Sequence, residues 1–567
     1  MTKIFRFPTK IVSVGEVFLG GNFPIRIQSM TNTNTLDTES TVNQCVRIIE
    51  AGADLVRMTV RNIAEAKNLS VIKKKLREKG FKTPLIADVH YNSLIAEEAA
   101  KIVEKVRINP GNFVDKKNIS LSQEKNLEIL QEKFVKLLKI CKENGTSLRV
   151  GANHGSLSER IVNLYGDTTK GMVESVMEFL RIAENENFYQ IVVSLKSSNP
   201  VVMINAYREM VFAMQRESMN YPLHLGVTEA GNEQDGRIKS AVGIGALLSE
   251  GIGDTIRVSL TEPPENEIPV AKKLIEQFTF SNEKYFFEHF ETRENKETPI
   301  VIANLNESKN ENLIPDFIYL GKNQVDTNIF GKNISFLCDS EVFNFQKNYF
   351  PYFHSLKEFQ DSQKISEEKN FVYLQNFSQE IFELENEKNV VAVLPIFDIS
   401  VKKEFSKKCS IPLIFKYLNA EKDSEKSILN ASSVLGSFFI DNLGNGIWLE
   451  NFTENLDLSF GILQASRRRM SRVEYIICPS CGRTLFDIQR VAEEIKQKTS
   501  HLKNLKIGIM GCVVNGLGEM ADADIGLVGM AENKLSLYQN KKLIKRNISV
   551  EKAADEMLNF IKNFHKS

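Results

Sequence analysis

Three of the seven cysteines fall in the last sixth of the 567-residue chain, at spacings that could hold a metal centre. Cys478 and Cys481 form a CPSCGR turn directly after the apolar run VEYIIC, and Cys512 opens GCVVNGLGE after KIGIMG. A two-residue gap lets both thiolates of the first pair face one metal. Gly511, Gly516 and Gly518 let the second loop wrap closely round a bulky object. Three thiolates leave a tetrahedral ion or a cubane one ligand short, and Glu519, seven residues past Cys512, could supply the fourth. A carboxylate is a harder and more exchangeable ligand for iron than a thiolate. Iron held that way could bind a substrate oxygen and combine Lewis acidity with electron delivery. The same donors also admit a structural zinc with a fourth ligand elsewhere, although such sites usually bring a second CxxC or a nearby histidine. Cys45, Cys141, Cys338 and Cys409 stand alone in apolar contexts and read as core.

A second polar set interrupts apolar runs in the first half of the chain. It comprises Arg57, Asp88, Arg107, Asn109, Arg149, Asn153, Lys196, Glu229, Arg257 and Ser259. Five of these are cations, each near the end of a different candidate strand. A lone buried cation is costly, so five that converge require anionic partners. Only Asp88 and Glu229 in the same set are acids. The positive excess suits a multiply charged ligand such as a diphosphate, which Arg binds bidentately and Lys binds as a point charge. Taken one at a time, each arginine reads rather as a surface or interdomain salt-bridge partner. His90, His154 and His224 also fall near strand ends, but without HxH or HExxH spacing, and read as hydrogen-bonded structural residues.

The elements that must position these residues are legible as alternation. IRIQSM, ADLVRMTV, PLIADVH, EKVRINP, SLRVGAN, QIVVSLK, LHLGVTE and TIRVSL are strand-like, and amphipathic helical patterns ending in Gly lie between them. Eight βα units in this length predict a closed (β/α)8 barrel of the TIM type over residues 1–282, with its chemistry at the C-terminal mouth. A doubly wound open sheet competes, but no GxGxxG follows the first strand. Residues 283–444 change character, with Asn, Lys, Glu, Ser and Phe around short strands such as DFIYLG and VVAVLPI, and predict an α/β insert that acts as a spacer. Residues 445–567 predict a compact α+β domain carrying the cysteines. The whole is α/β in class.

Lys plus Arg equals Asp plus Glu, so the chain lacks the basic excess of a nucleic-acid binder. No apolar run reaches the roughly 20 residues that span a bilayer. The N-terminus has no signal-peptide pattern, and the cysteines are too few and scattered for a disulfide framework. A cytoplasmic protein is expected.

With these residues assembled, the chain resembles the 4-hydroxy-3-methylbut-2-en-1-yl diphosphate synthases of the methylerythritol phosphate pathway. The resemblance is carried by QSMTNT (28–33), RVGANHGSL (149–157), LGVTEAG ending at Gly231, CPSCGRTLFD (478–487) and MGCVVNGLGEMADAD (510–524). The middle region is that of the long, three-domain form. The resemblance implies a 4Fe-4S cluster on Cys478, Cys481, Cys512 and Glu519. It also implies a diphosphate held by Arg57, Arg107, Asn109, Arg149, Lys196, Arg257 and Ser259, with Glu229, Asp88 and Asn153 beside the reacting carbons. The implied reaction is reductive ring opening and dehydroxylation of 2-C-methyl-D-erythritol 2,4-cyclodiphosphate, with ferredoxin or flavodoxin as electron donor. A barrel transferase of the pterin-binding type with a structural zinc domain is the competing expectation. The cluster domain should close over the barrel mouth. In two-domain members a partner subunit supplies that cap; the spacer could let it close in cis, in a monomer or a homodimer. The run SRRRMSR (466–472) could dock an acidic donor or make an interdomain contact.

Overall fold

The computed structural model describes residues 3–113, 123–281, 297–307, 313–323, 325, 330, 334–375, 377–385, 387–399, 402 and 410–564. Cys409 lies outside them. The chain forms two compact units, one of Ile4–Phe286 with Arg472–Ser567 and the other built on Phe287–Ser471.

In the first unit all eight expected strands form one parallel sheet. They are β1 (Arg26–Met30), β2 (Leu55–Val60), β3 (Leu85–Val89), β4 (Lys105–Ile108), β5 (Ser147–Asn153), β6 (Ile191–Lys196), β7 (His224–Leu225) and β8 (Thr255–Ile256). The strand order is sequential, β8 pairs with β1, and a parallel bridge between Val193 and Leu223 joins β6 to the β7 segment and closes the barrel. Strands β2 to β6 are buried on both faces, which is why they read as apolar runs broken only by inward polar residues. A hairpin of Val12–Val14 and Val17–Leu19 stoppers the bottom, packing its buried valines and leucine on Leu55, Ile86 and Val192. The helix Thr38–Glu50 shows the local logic outside: Asp37 caps it by accepting from the Ser40 amide, and it buries Val42, Cys45 and Ile48. Cys45 and Cys141 are buried as expected of core thiols.

The second unit is a further closed parallel barrel. Its strands are β9 (Ile300–Asn304), β10 (Phe317–Gly321), β11 (Ser335–Asp339), β12 (Tyr349–Phe353), β13 (Asn370–Tyr373), β14 (Val390–Pro395), β15 (Leu413–Leu418) and β16 (Gly446–Glu450). Strand β16 pairs with both β9 and β15 and closes the ring. The expected boundary at 444/445 therefore shifts: residues up to Ser471, including the helix Asn455–Ala465, belong to this barrel. Aromatic residues fill its interior, with the Trp448 ring tilted against Tyr319 and edge-on to Tyr352. The Lys416 ammonium sits 4.0 Å from the Trp448 ring centre and 3.0 Å from Glu450.

Back in the first unit, Arg472–Ser567 builds a five-stranded mixed sheet of β17 (Glu474–Ile477), β18 (Lys506–Met510), β19 (Ile525–Ala531), β20 (Lys534–Gln539) and β21 (Lys542–Ser549). The helices Ile488–Thr499 and Ala553–Phe564 cover it, burying Val491, Ile495, Met557 and Ile561 against Ile507, Ile509 and Leu527.

Candidate active site

Sheet register places the polar residues. Met30 is level with Arg57, Asp88 with Arg107, Arg107 with Arg149, and Asn153 with Lys196. Paired residues on neighbouring strands face the same side, so these side chains converge inside the barrel mouth. They line one cavity together with Glu229, Arg257, Ser259, Cys478, Cys481 and Glu519. Glu229 holds φ at +49°, a left-handed backbone that is strained for a residue with a side chain.

Two of the five cations are neutralised within the protein. Arg107 donates to Asp88 (3.0 Å), Asn153 Oδ1 (2.8 Å) and the Gly151 carbonyl, and touches His90 at 2.7 Å. Arg257 pairs with Glu267 (2.9 and 3.1 Å), which also accepts from Ser29. The other three, Arg57, Arg149 and Lys196, form no salt bridge among the described residues, although all are buried. Arg57 reaches only the Met30 sulfur, and Nε and Nη1 of Arg149 have no hydrogen-bond partner. Burial pushes the Arg57 guanidinium down to about 10, against the pull of Asp88. Burial, then Arg149 and Arg57, push Lys196 well below the lysine range, and Arg149 is depressed in the same way. Burial alone would raise Asp88, but Arg107 and Arg57 outweigh it and hold its carboxyl well below normal. The mouth is thus a cup with three cations in excess, poised for an anion.

The C-terminal domain closes that cup. Ala230, at the barrel rim, bridges Ile477 of β17, and the Thr261 hydroxyl donates to the Ile477 carbonyl. Lys239 pairs with Glu474 (3.0 Å), Arg472 with Asp235 (2.6 Å), and Asn32 donates to Ser480 (3.1 Å). Gly155 and Gly518 meet backbone to backbone: a Cβ on Gly155 would lie 2.2 Å from the Gly518 carbonyl oxygen. The closure is made by the chain's own C-terminal domain.

The metal-ligand candidates meet on this seam. Cys478 and Cys481 follow β17, and Cys512 and Glu519 bracket the short helix Val513–Glu519. The Glu519 carboxylate accepts from Asn153 Nδ2 (3.0 Å), and its backbone carbonyl accepts from Ser198. Cys512 is absent from the cavity wall but lies in electrostatic reach of Cys481 and Glu519. Burial, then Cys481, Glu229, Glu519 and Cys512, raise the Cys478 thiol well above its normal range. Burial and the neighbouring Glu519 likewise raise Glu229, which favours its protonated form. No three His, Cys, Asp or Glu side chains among the described residues converge closely enough for a single ion. Three cysteine sulfurs in electrostatic reach of one another and of one carboxylate are the donor chemistry that an iron–sulfur group takes.

Some expectations shift. Asn109 is not on the wall; its side chain accepts from the Gly111 amide and caps the turn Pro110–Asn112. His90 backs Asp88 and Arg107, with burial pushing its ring down to about 3, and His224 lies deep in the barrel beside Thr255. The arginines of SRRRMSR are engaged by the chain itself, Arg469 with Asp316 (2.5 Å) and Arg472 with Asp235. Two residues were missed. Glu267 on the helix after β8 neutralises Arg257, and Arg483, from the CPSCGR turn, enters the cavity wall and donates to the Asp88 carbonyl. The Arg two places after Cys481 was the available signal for the second.

Comparison with known proteins agrees with this geometry. Residues 9–272 match the model described as the GcpE TIM-barrel domain, and residues 474–563 match the GcpE protein C-terminal domain. Relatives named 4-hydroxy-3-methylbut-2-en-1-yl diphosphate synthase (flavodoxin) include those of Parabacteroides distasonis (43% identical, 98% of each chain covered) and Bacteroides thetaiotaomicron (42%, 99% of this chain and 98% of the relative). That of Leptospira interrogans is 38% identical over 98% of this chain and 96% of its own. Dihydropteroate synthase of Yersinia pestis aligns with 47% of this chain at 10% identity and a TM-score of 0.30, too slight a likeness to bear on function. With a barrel match and near-full-length relatives, the chain belongs to the 4-hydroxy-3-methylbut-2-en-1-yl diphosphate synthase family.

Proposed function

We propose that the chain reductively opens 2-C-methyl-D-erythritol 2,4-cyclodiphosphate and removes a hydroxyl, giving 4-hydroxy-3-methylbut-2-enyl diphosphate for isoprenoid biosynthesis. The observation that carries this reading is the pairing, across one cavity, of Arg57, Arg149 and Lys196, which form no salt bridge among the described residues, with two cysteines and Glu519. Arg57, Arg149 and Lys196 bind the diphosphate and exchange their mutual repulsion for charge-assisted hydrogen bonds. Arg107 and Arg257, already fixed by Asp88 and Glu267, orient it. Cys478, Cys481, Cys512 and Glu519 would hold a 4Fe-4S cluster, which supplies single electrons and a Lewis-acidic iron. Loss of the hydroxyl as water requires a proton at the leaving oxygen, and Glu229, kept protonated by burial, holds one beside Glu519. Asn153 bridges Arg107 and Glu519 and so ties the anion cup to the metal seam. Closure by the cluster domain excludes water from the reacting carbons.

The two electrons come from flavodoxin or ferredoxin. The cap reaches its own barrel, so one chain holds a complete site, and the second barrel is the spacer in the chain between the two. No helix among the described residues is long and apolar enough to cross a membrane, and we assign the work to the cytoplasm. Anaerobic turnover of the cyclic diphosphate with a chemical reductant tests the reading. The parent protein should be brown, bleach with dithionite and form product, and Glu519→Ala should lose turnover. A colourless, zinc-loaded and inactive parent would overturn it.

A further inference from the structure

One buried cation is left unused by that mechanism. Lys105 opens β4, two residues below Arg107 on the same inward face, and is level with Ile86 and Ser147 of the neighbouring strands. Its side chain is fully buried (0% exposed), and its nitrogen has no hydrogen-bond partner. The charged and titratable groups in electrostatic reach are Arg149 from β5, Arg57 from β2 and His224 from β7. On its own strand, Arg107 is turned to Asp88. None of the groups in reach among the described residues is an acid. Burial first, then Arg149 and Arg57, push the amine well below the usual lysine range.

A buried lysine among cations must either shed its proton or capture an anion. Lys105 lies off the wall of the anion-binding cavity, one layer beneath it, so the first course applies while the cavity lacks its ligand. A diphosphate entering above Arg149 changes the balance. It neutralises the guanidinium charges that repelled a proton from Lys105, and adds negative charge of its own.

We propose that Lys105 is a proton-linked positioning residue for the substrate, uncharged beneath Arg149 in the free protein and taking up one proton from solvent as the diphosphate binds. The inference rests on the substrate reading above. The sign follows from linkage. The bound state holds the proton more tightly than the free state, so binding tightens as pH falls between the two titrations. One linked proton gives at most about tenfold in affinity per pH unit. The charged ammonium then adds a positive charge beneath the cup and matches it to a diphosphate rather than to a singly charged ester.

The test is calorimetric titration of the anaerobic, oxidised holoenzyme with the cyclic diphosphate, without reductant, in chloride-free buffers of different ionisation enthalpy. The parent should take up about one proton more per site than Lys105→Met, and its affinity should fall more steeply with pH, by up to about tenfold per unit. Lys105→Gln should match Lys105→Met, which guards against a folding defect in either variant. Equal proton counts in parent and variants, with binding intact, would overturn the proposal and leave the substrate reading standing. A count that changes when chloride replaces gluconate would reveal a buried anion site and would also overturn it. Absence of any binding by the parent would sink the substrate reading itself, and this inference with it.

Discussion

Arg149 is 1% exposed, has two guanidinium nitrogens without partners, and lies within reach of Arg57 and Arg107. Nothing in folding rewards that arrangement. Replacing a buried, poorly compensated charge by an apolar residue of similar length is often neutral or stabilising by about 1–4 kcal/mol. Arg149→Met should therefore melt higher than the parent when both are substrate-free. Loss of a charged hydrogen-bonding group costs about 1.5–3 kcal/mol in binding, so kcat/KM should fall roughly ten- to a hundredfold. Thermal unfolding beside steady-state kinetics checks both directions. A lower melting temperature would mean that Arg149 is a fold residue. The candidate cup was legible because each strand end showed one polar residue in an apolar run, and parallel register brings such residues to one level. Glu267 was not, because an acid in the first turn of a helix looks like an ordinary dipole partner. Nor was the turn-capping role of Asn109, since Asn reads alike as a ligand or as a cap.

At the scale of elements, closure depends on two loops that approach as bare backbone. Gly155 follows β5 with φ at +75°, and Gly518 lies one residue before Glu519. A methyl group on Gly155 would strain the left-handed backbone and collide with the Gly518 carbonyl. Gly155→Ala should hold the cap off the mouth, lowering kcat/KM by at least about tenfold, the effect of a misplacement of about 1 Å. Its iron and sulfide content should stay that of the parent. Loss of the cluster in this variant would place the defect in metal assembly. The first barrel was readable as eight βα units because its helices are long enough to show a 3.6-residue period. The second was readable only as scattered strands. Its crossovers include single turns such as Ser340–Val342 and short helices such as Leu356–Asp361, too brief to display a period. GIWLE, which closes that ring as β16, was assigned to the following domain for the same reason.

For the molecule as a whole, the C-terminal domain seals the barrel of its own chain. Mixing a Cys512→Ala chain with an Arg149→Ala chain should therefore restore no activity, whereas exchange of caps between subunits would give up to about a quarter of parental turnover, the share set by random pairing. Size measurement of the mixture shows whether dimers were present to exchange. The second barrel invites a different kind of use. Where an enzyme of this architecture would admit a reactant, Lys416 is wedged against Trp448 and held by Glu450, so a side chain of the protein already corks that interior. The exposed stretch 344–348 is thus a natural place to graft an epitope or a fluorophore without touching catalysis.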